Sequence, residues 1–345
     1  MIKDKVLYSL DDVMIEPDPI SKIKHRKDIQ TRYDNGWLPI FTAPMPCVVS
    51  LKDGQFLKYM NANIRPIIPR TEPLDKRLAF LKVKKYSQIF VAFSLDEFYN
   101  NFIRDKFDIP EKIESIRVLI DIANGNLQDL HDNVRIAKNM YNSKMFIMGG
   151  NVASPEAFRM LARAGCDYIR CSVGSGSGCC TATYTGVYYP MASLIDECNR
   201  IRNQFGMHHV SIIADGGITT YRNAFKALAL GADYVMMGSR LCQCEDSAGE
   251  IVNKGETLYR STNERKLYFG MASAMGSHML GKDTTAPEGM VKEYPVLEPI
   301  AEFADKFSKY LASTMSYCNA LSLDRFIGHP TLNVISHSAQ KQFNQ

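Results

Sequence analysis

A chain of 345 residues, 46% of them hydrophobic and with a formal net charge of +4, can bury a large core but lacks the basic excess of a nucleic-acid binder; a local anion pocket suits it better. Its nine cysteines, at 47, 166, 171, 179, 180, 198, 242, 244 and 318, form neither a disulfide framework nor paired zinc-type units, and read as reduced thiols of a cytoplasmic protein. The opening MIKDKVLYSL lacks the apolar stretch of a signal peptide, and no apolar run is long enough to span a membrane.

Eight short apolar runs read as strands in chain order: Leu38–Ala43, Ala62–Ile68, Gln88–Phe93, Arg117–Ile122, Lys144–Met148, Tyr168–Ser172, Val210–Ala214 and Tyr234–Met237. Amphipathic helices fall between several of them, as at Glu156–Ala164 and Arg222–Leu230, with a weaker pattern at Leu51–Tyr59. Buried runs alternating with helices imply parallel strands joined by right-handed crossovers. Eight such units close most simply into a (β/α)8 or TIM barrel, although an open doubly wound sheet shows the same alternation. Beyond Met237, Arg240–Ile251 reads as helix. Residues 276–299 read as a loop-like flap punctuated by Gly281, Pro287, Gly289, Pro295 and Pro299, and Ile300–Leu321 as helix again. No linker or low-complexity tract divides residues 1–345, which read as one domain.

In a barrel the chemistry collects in the loops at the C-terminal ends of the strands. Three glycine-bearing segments fall there: 173–181 after the sixth strand, Asp215-Gly216-Gly217 after the seventh and Gly238-Ser239 after the eighth. Glycine lets backbone N–H groups approach a ligand, and the last two loops are the usual phosphate site of this fold. The Asp215 carboxylate would repel a phosphate and suits ribose hydroxyls instead. An ordinary turn also explains this Asp-Gly-Gly, and both readings stay open. Cys179 lies among glycines at a strand end, where oriented N–H dipoles favour a nucleophilic thiolate. Cys166 and Cys171 fit structural positions, but Cys180 adjoins Cys179 and the sequence physics does not choose between them. His208 and His209 precede the seventh strand, at the wrong end for catalysis, and read as structural.

The run GSGSGCCT from Gly174 to Thr181, followed by Thr185-Gly186-Val187 and Tyr189-Pro190, resembles the catalytic loop of the IMP dehydrogenase/GMP reductase family. That loop reads G-P-G-S-x-C-T-T-R and continues T-G-V-x-Y-P in the reductases. Further matches run in order from Asp11-Asp12-Val13 through 39–45 (PIFTAPM), 121–125 (DIANG), 150–152 (GNV) and 237–239 (MGS) to 268–271 (YFGM). The resemblance covers roughly residues 8 to 325 and implies Cys179 as the nucleophile toward purine C2, with Thr181 and Glu288 protonating the departing amine. It implies Ser177, Gly216, Gly217, Gly238 and Ser239 around the nucleotide phosphate, Asp215 on the ribose, and Gly270, Met271 and Ala272 at the purine. Met45, Asp121, Ala123 and Asn124 would meet the cofactor, NADPH or alternatively NADH. Backbone carbonyls of Gly174, Gly176 and Cys179 would hold potassium, and family members are usually homotetramers.

Three features favour reductive deamination of GMP, or of a relative such as dGMP, to IMP. No room exists between Phe93 and Arg117 for inserted CBS modules, Ala123-Asn124-Gly125 follows the reductase pattern, and Glu288-Gly289 stands in a flap that has no Arg between Arg265 and Arg325. The alternatives are an IMP dehydrogenase without CBS modules, using NAD to make XMP, and a diverged nucleotide-binding regulator without turnover. A barrel that binds a phosphorylated sugar without cysteine chemistry is a third. Ser175, Cys180, Ala182, Pro46 and Ala272 depart from the family pattern, and Arg65–Arg70 lacks the usual His, which marks a diverged branch. Arg70, Lys76 and Arg77 are candidates for a cofactor 2′-phosphate, with a solvated helix face as the plainer reading.

Overall fold

The computed structural model describes residues 4–253, 264–282 and 284–342. Eight parallel strands form one sheet: β1 (Ile40–Thr42), β2 (Ile67–Ile68), β3 (Phe90–Phe93), β4 (Ile116–Ile120), β5 (Met145–Val152), β6 (Tyr168–Cys171), β7 (Ser211–Asp215) and β8 (Tyr234–Met237). Each strand pairs with the next in sequence from β2 to β8, and β8 pairs with β1 with Ile40 beside Val235. A parallel bridge between Phe41 and Arg65 closes the ring, so the chain is a single-domain TIM barrel. The strands form where the sequence supplies short β-branched or aromatic runs, and nearly every residue in them is buried. At the N-terminal end of the ring Phe41, Phe90, Tyr168 and Tyr234 pack edge to face and tilted, with centroids 4.8–6.2 Å apart, and plug the barrel floor.

Helices cover the outside. Pro155–Ala164 starts where the Ser154 hydroxyl accepts the Ala157 N–H and ends at Gly165, whose φ of 112° only glycine adopts readily. Tyr221–Ala229 starts on Thr220 in the same way. The expected helix over Arg240–Ile251 is confined to Ser239–Cys242. The buried Lys266 ammonium gathers the carbonyls of Cys244, Glu245 and Ser247 at 2.8–3.0 Å, which holds that stretch in turns.

The flap is more regular than its glycines and prolines suggest. Val291–Pro295 pairs antiparallel with Arg265–Phe269, which pairs in turn with Ile251–Asn253. A short helix, Ala274–Met279, precedes the descent to Glu288. Ile300–Tyr317 follows as helix, a little shorter than expected, and near the ends of the chain Val13–Ile15 pairs with Leu332–Val334. Among the described residues no helix is long and apolar enough to cross a membrane.

Candidate active site

The loop after β6 carries Cys179, and the flap clips it on both sides. The Met290 N–H donates to the Gly178 carbonyl at 2.9 Å, and the Cys180 N–H donates to the Glu288 carbonyl at 2.7 Å. This antiparallel bridge brings Cys179 beside Gly289. It also separates the two adjacent thiols: Cys180 is buried, whereas Cys179 alone of the nine cysteines is partly exposed. Of the two thiols that the sequence left open, Cys179 is therefore the one that a ligand can reach.

From Cys179 a short chain of hydrogen bonds runs into the flap. Cys179 Sγ donates to Thr181 Oγ1 at 3.3 Å, and Thr181 Oγ1 donates to Glu288 Oε2 at 2.7 Å. A thiol, a hydroxyl and a carboxylate so arranged can pass a proton from sulfur to carboxylate and back. Thr181 and Glu288 are 107 residues apart, so the relay exists only while flap and loop are joined.

Two hydroxyls from the loops after β6 and β8 meet across the end of β7, Ser177 Oγ and Ser239 Oγ, 3.0 Å apart. The Tyr268 hydroxyl reaches the same corner, 2.9 Å from where a Cβ on Gly238 would stand, and Met45 Sδ is 3.4 Å from that point. Burial pushes the Tyr268 phenol up, so it is a neutral donor. Gly270 lies against Gly178, and Gly216 against Ser175. Hydroxyls and open glycine backbone converging at the ends of β6 and β8 make a cradle for an oxyanion. A cavity of about 320 Å³ opens between Gly174, Ser175, Gly217, Asp11 and Asn223; Cys179 does not line it.

Beside the cradle an ion-pair chain crosses the barrel mouth. Arg170 Nη1 donates to Asp121 Oδ1 at 2.7 Å and Nε donates to Asp215 Oδ2 at 3.0 Å. Arg70 Nε donates to Asp121 Oδ2 at 3.1 Å, and Asn151 Nδ2 to Asp215 Oδ2 at 2.8 Å. Burial works against the Arg170 charge, but Asp215 and Asp121 outweigh it and hold the guanidinium above its ordinary range. Asp215 Oδ1 accepts no hydrogen bond among the described residues.

The structure thus joins Cys179, Thr181 and Glu288 directly and sets Ser177, Gly238 and Ser239 together. Ala123 and Asn124 are exposed in the turn after β4, and Ala272 is exposed at the turn after Phe269 with Met271 half-buried beside it. Three residues of the mouth were given no role from sequence: Arg170, which no motif contains, and Asn151 and Tyr268, which lie in the matched GNV and YFGM runs. An arginine inside an otherwise apolar strand was the available signal for the first. Arg77 is not on a solvated face, because it is buried and paired with Glu97 at 2.7 Å. Lys76 is exposed, and so are His208 and His209, which lie in the turn before β7.

Residues 103–344 match the domain family described as IMP dehydrogenase / GMP reductase domain. The chain is 27% identical to the GMP reductase of Shigella boydii serotype 18, over 99% of each protein. It is 31% identical to the GMP reductase of Clostridium acetobutylicum, over 83% of this chain and 82% of that one. With the inosine-5'-monophosphate dehydrogenase of Chlorobaculum parvum it shares 34% identity, over 60% of this chain and 42% of that one.

Proposed function

We infer the function from one premise: the chain belongs to the IMP dehydrogenase/GMP reductase family, a family of oxidoreductases in purine metabolism. We propose that it converts GMP, or a close relative such as dGMP, to IMP and ammonia with NADPH, through an adduct between Cys179 and purine C2. The observation that carries this reading is the relay from Cys179, the one partly exposed thiol, through Thr181 to Glu288.

In this reading the thiol proton passes to Thr181 Oγ1 as the Thr181 proton passes to Glu288 Oε2. The thiolate adds to C2, and the C2–N3 π pair moves onto N3. Glu288 returns its proton through Thr181 to the 2-amino group. The pair on N3 then re-forms the double bond and expels ammonia, leaving C2 bonded to sulfur. An amine leaves well only when protonated, and that is the work of the relay. When bound, NADPH supplies the hydride that C2 accepts. The Cys179 thiolate then departs and regains a proton, giving IMP.

Ser177, Gly217, Gly238 and Ser239, with Gly216 behind them, would hold the phosphate, and Asp215 Oδ1 the ribose. Gly270, Met271 and Ala272 would meet the purine edge. The apolar Met45, the exposed Asn124, whose carboxamide oxygen accepts the Asn126 N–H, and the adjoining Ala123, backed by Asp121, suit a carboxamide-bearing nicotinamide. Arg70 and Arg77 are held by Asp121 and Glu97, which leaves Lys76 to meet a 2′-phosphate. The Gly174 and Cys179 carbonyls accept no backbone hydrogen bond among the described residues, and that of Gly176 accepts one; the three suit a potassium ion. We assign residues 1–345 to one domain that works in the cytoplasm as a homotetramer, with 276–299 as the flap.

The test follows absorbance of NADPH with GMP and of NAD with IMP, each with potassium. GMP-dependent NADPH oxidation that disappears in Cys179→Ala, with GMP binding kept, is the expected result. NAD reduction by IMP in its place would make the chain a dehydrogenase, and tight binding without either reaction a regulator.

A further inference from the structure

We propose that the floor of the barrel, at the pole opposite Cys179, holds a small oxyanion of the phosphate class between the guanidinium groups of Arg65 and Arg117. The inference is independent of the reaction assigned to the barrel mouth.

Arg65 precedes β2 and pairs with Phe41 of β1, while Arg117 is the second residue of β4 and pairs with Phe90 of β3. Both therefore stand at the N-terminal ends of parallel strands. Arg65 is 1% exposed and Arg117 8% exposed. The Arg65 guanidinium lies over Trp37, Phe41 and Tyr234 at 5.1–5.5 Å from their centroids, and that of Arg117 over Phe146 at 4.7 Å. Aromatic faces attract the cation but accept none of its in-plane N–H bonds. Arg117 Nη1 reaches the Ser87 carbonyl at 2.7 Å, yet the Nε atoms of both arginines are buried without a partner.

No carboxylate among the described residues forms an ion pair with either group. Asp233, the acidic side chain that bears on Tyr33 and Tyr234 here, is held by Arg202 at 2.5 Å and by the Ile212 N–H at 2.6 Å. Two like charges are thus enclosed by one aromatic cluster, joined through Tyr168 and Tyr234. Burial bears down on the Arg117 charge; the Tyr168 hydroxyl beside it offsets part of that and Arg65 adds to it, while Tyr234 bears on Arg65 in the same way, and neither phenol supplies a full counter-charge. Uncompensated buried charge is strongly unfavourable, and water supplies acceptors but no counter-charge. A small oxyanion supplies both, since a guanidinium fork matches its geometry.

The chain carries its own reporter, because Trp37 is its single tryptophan and faces Arg65. Inorganic phosphate is titrated into the full chain at constant ionic strength, with chloride as the reference anion, while Trp37 fluorescence is read. A saturable change, weakened roughly tenfold or more in Arg65→Met and in Arg117→Met, is expected from losing a charged hydrogen-bond partner. No response, a response that never saturates, or one that survives both substitutions overturns the proposal. Should the variants fail to fold, crystals of the unaltered chain soaked in selenate decide. An anomalous peak between the two guanidiniums supports the site, and water alone there refutes it.

Discussion

At Cys179 the local chemistry is set by two neighbours rather than by the thiol itself. Thr181 has one hydroxyl proton, which it gives to Glu288, and so it must accept from the sulfur. In the proposed reaction this direction makes Glu288 the terminal base, with Thr181 a conductor. The two therefore fail differently when altered. Glu288→Gln keeps a side chain of the same size but loses the basic oxygen, and should lower kcat for ammonia release by about 10²–10⁴-fold with little change in GMP affinity. Thr181→Val keeps the carboxylate and breaks the connection, so it should resemble Glu288→Gln in kcat. The double variant should then be little worse than either single one. Rapid-quench measurement of ammonia release checks this, and independent, multiplying losses would show that the two residues do not form one relay.

Sequence could reveal the types of these residues but not their linkage. Glycines around a cysteine point to a reactive thiol at any strand end. The burial that separates Cys179 from Cys180 arises from a flap more than a hundred residues away. Arg170 shows the opposite failure, because the apolar run of β6 signals a strand and hides that one residue in it faces the mouth.

At the scale of elements, the strands were legible because short apolar runs punctuated by turns leave few alternatives. The flap was not, because Val291–Pro295 alternates half-buried and exposed residues and gains its strand only by pairing with Arg265–Phe269. The loop after β7 meets the loop that carries Cys179 just as closely. Gly216 has φ 103°, and a Cβ there would fall 2.7 Å from Ser175 Oγ and 3.0 Å from the Gly176 backbone N. The first of these neighbours can rotate, whereas the second cannot move without carrying the loop along. Gly216→Ala should cost about 1–3 kcal/mol of stability from backbone strain. Because the displaced segment leads to Cys179, kcat should fall far more than that loss of folded protein explains. Denaturation midpoints and kcat on the folded fraction check it, and a variant with unchanged kcat would show that the two loops move independently.

Across the whole molecule, the N-terminal turn is tied to the barrel by a buried amine. Lys226 is 2% exposed and its Nζ donates to the Leu10 carbonyl at 2.9 Å, while Asn223 Nδ2 on the same helix donates to Asp11 at 3.3 Å. Burial first, and then the charge of Arg222, bring the Lys226 ammonium down to about 8 from an ordinary 10.5, against the pull of Asp11 and Asp12. Between those two values the unfolded chain binds a proton that the folded chain does not, so stability must rise with pH across that window. Below it the penalty for a buried charge is fully present, and above it the penalty is gone. Tyrosines and cysteines titrate in the same range, so the effect is read as the difference between the unaltered chain and Lys226→Met, which has no charge to bury. Denaturant midpoints from pH 7 to about 10.5 should show the unaltered chain gaining on the variant as pH rises. Parallel curves would mean that the ammonium is solvated, and that the N-terminal turn is held by the strand pairing of Val13–Ile15 with Leu332–Val334 instead.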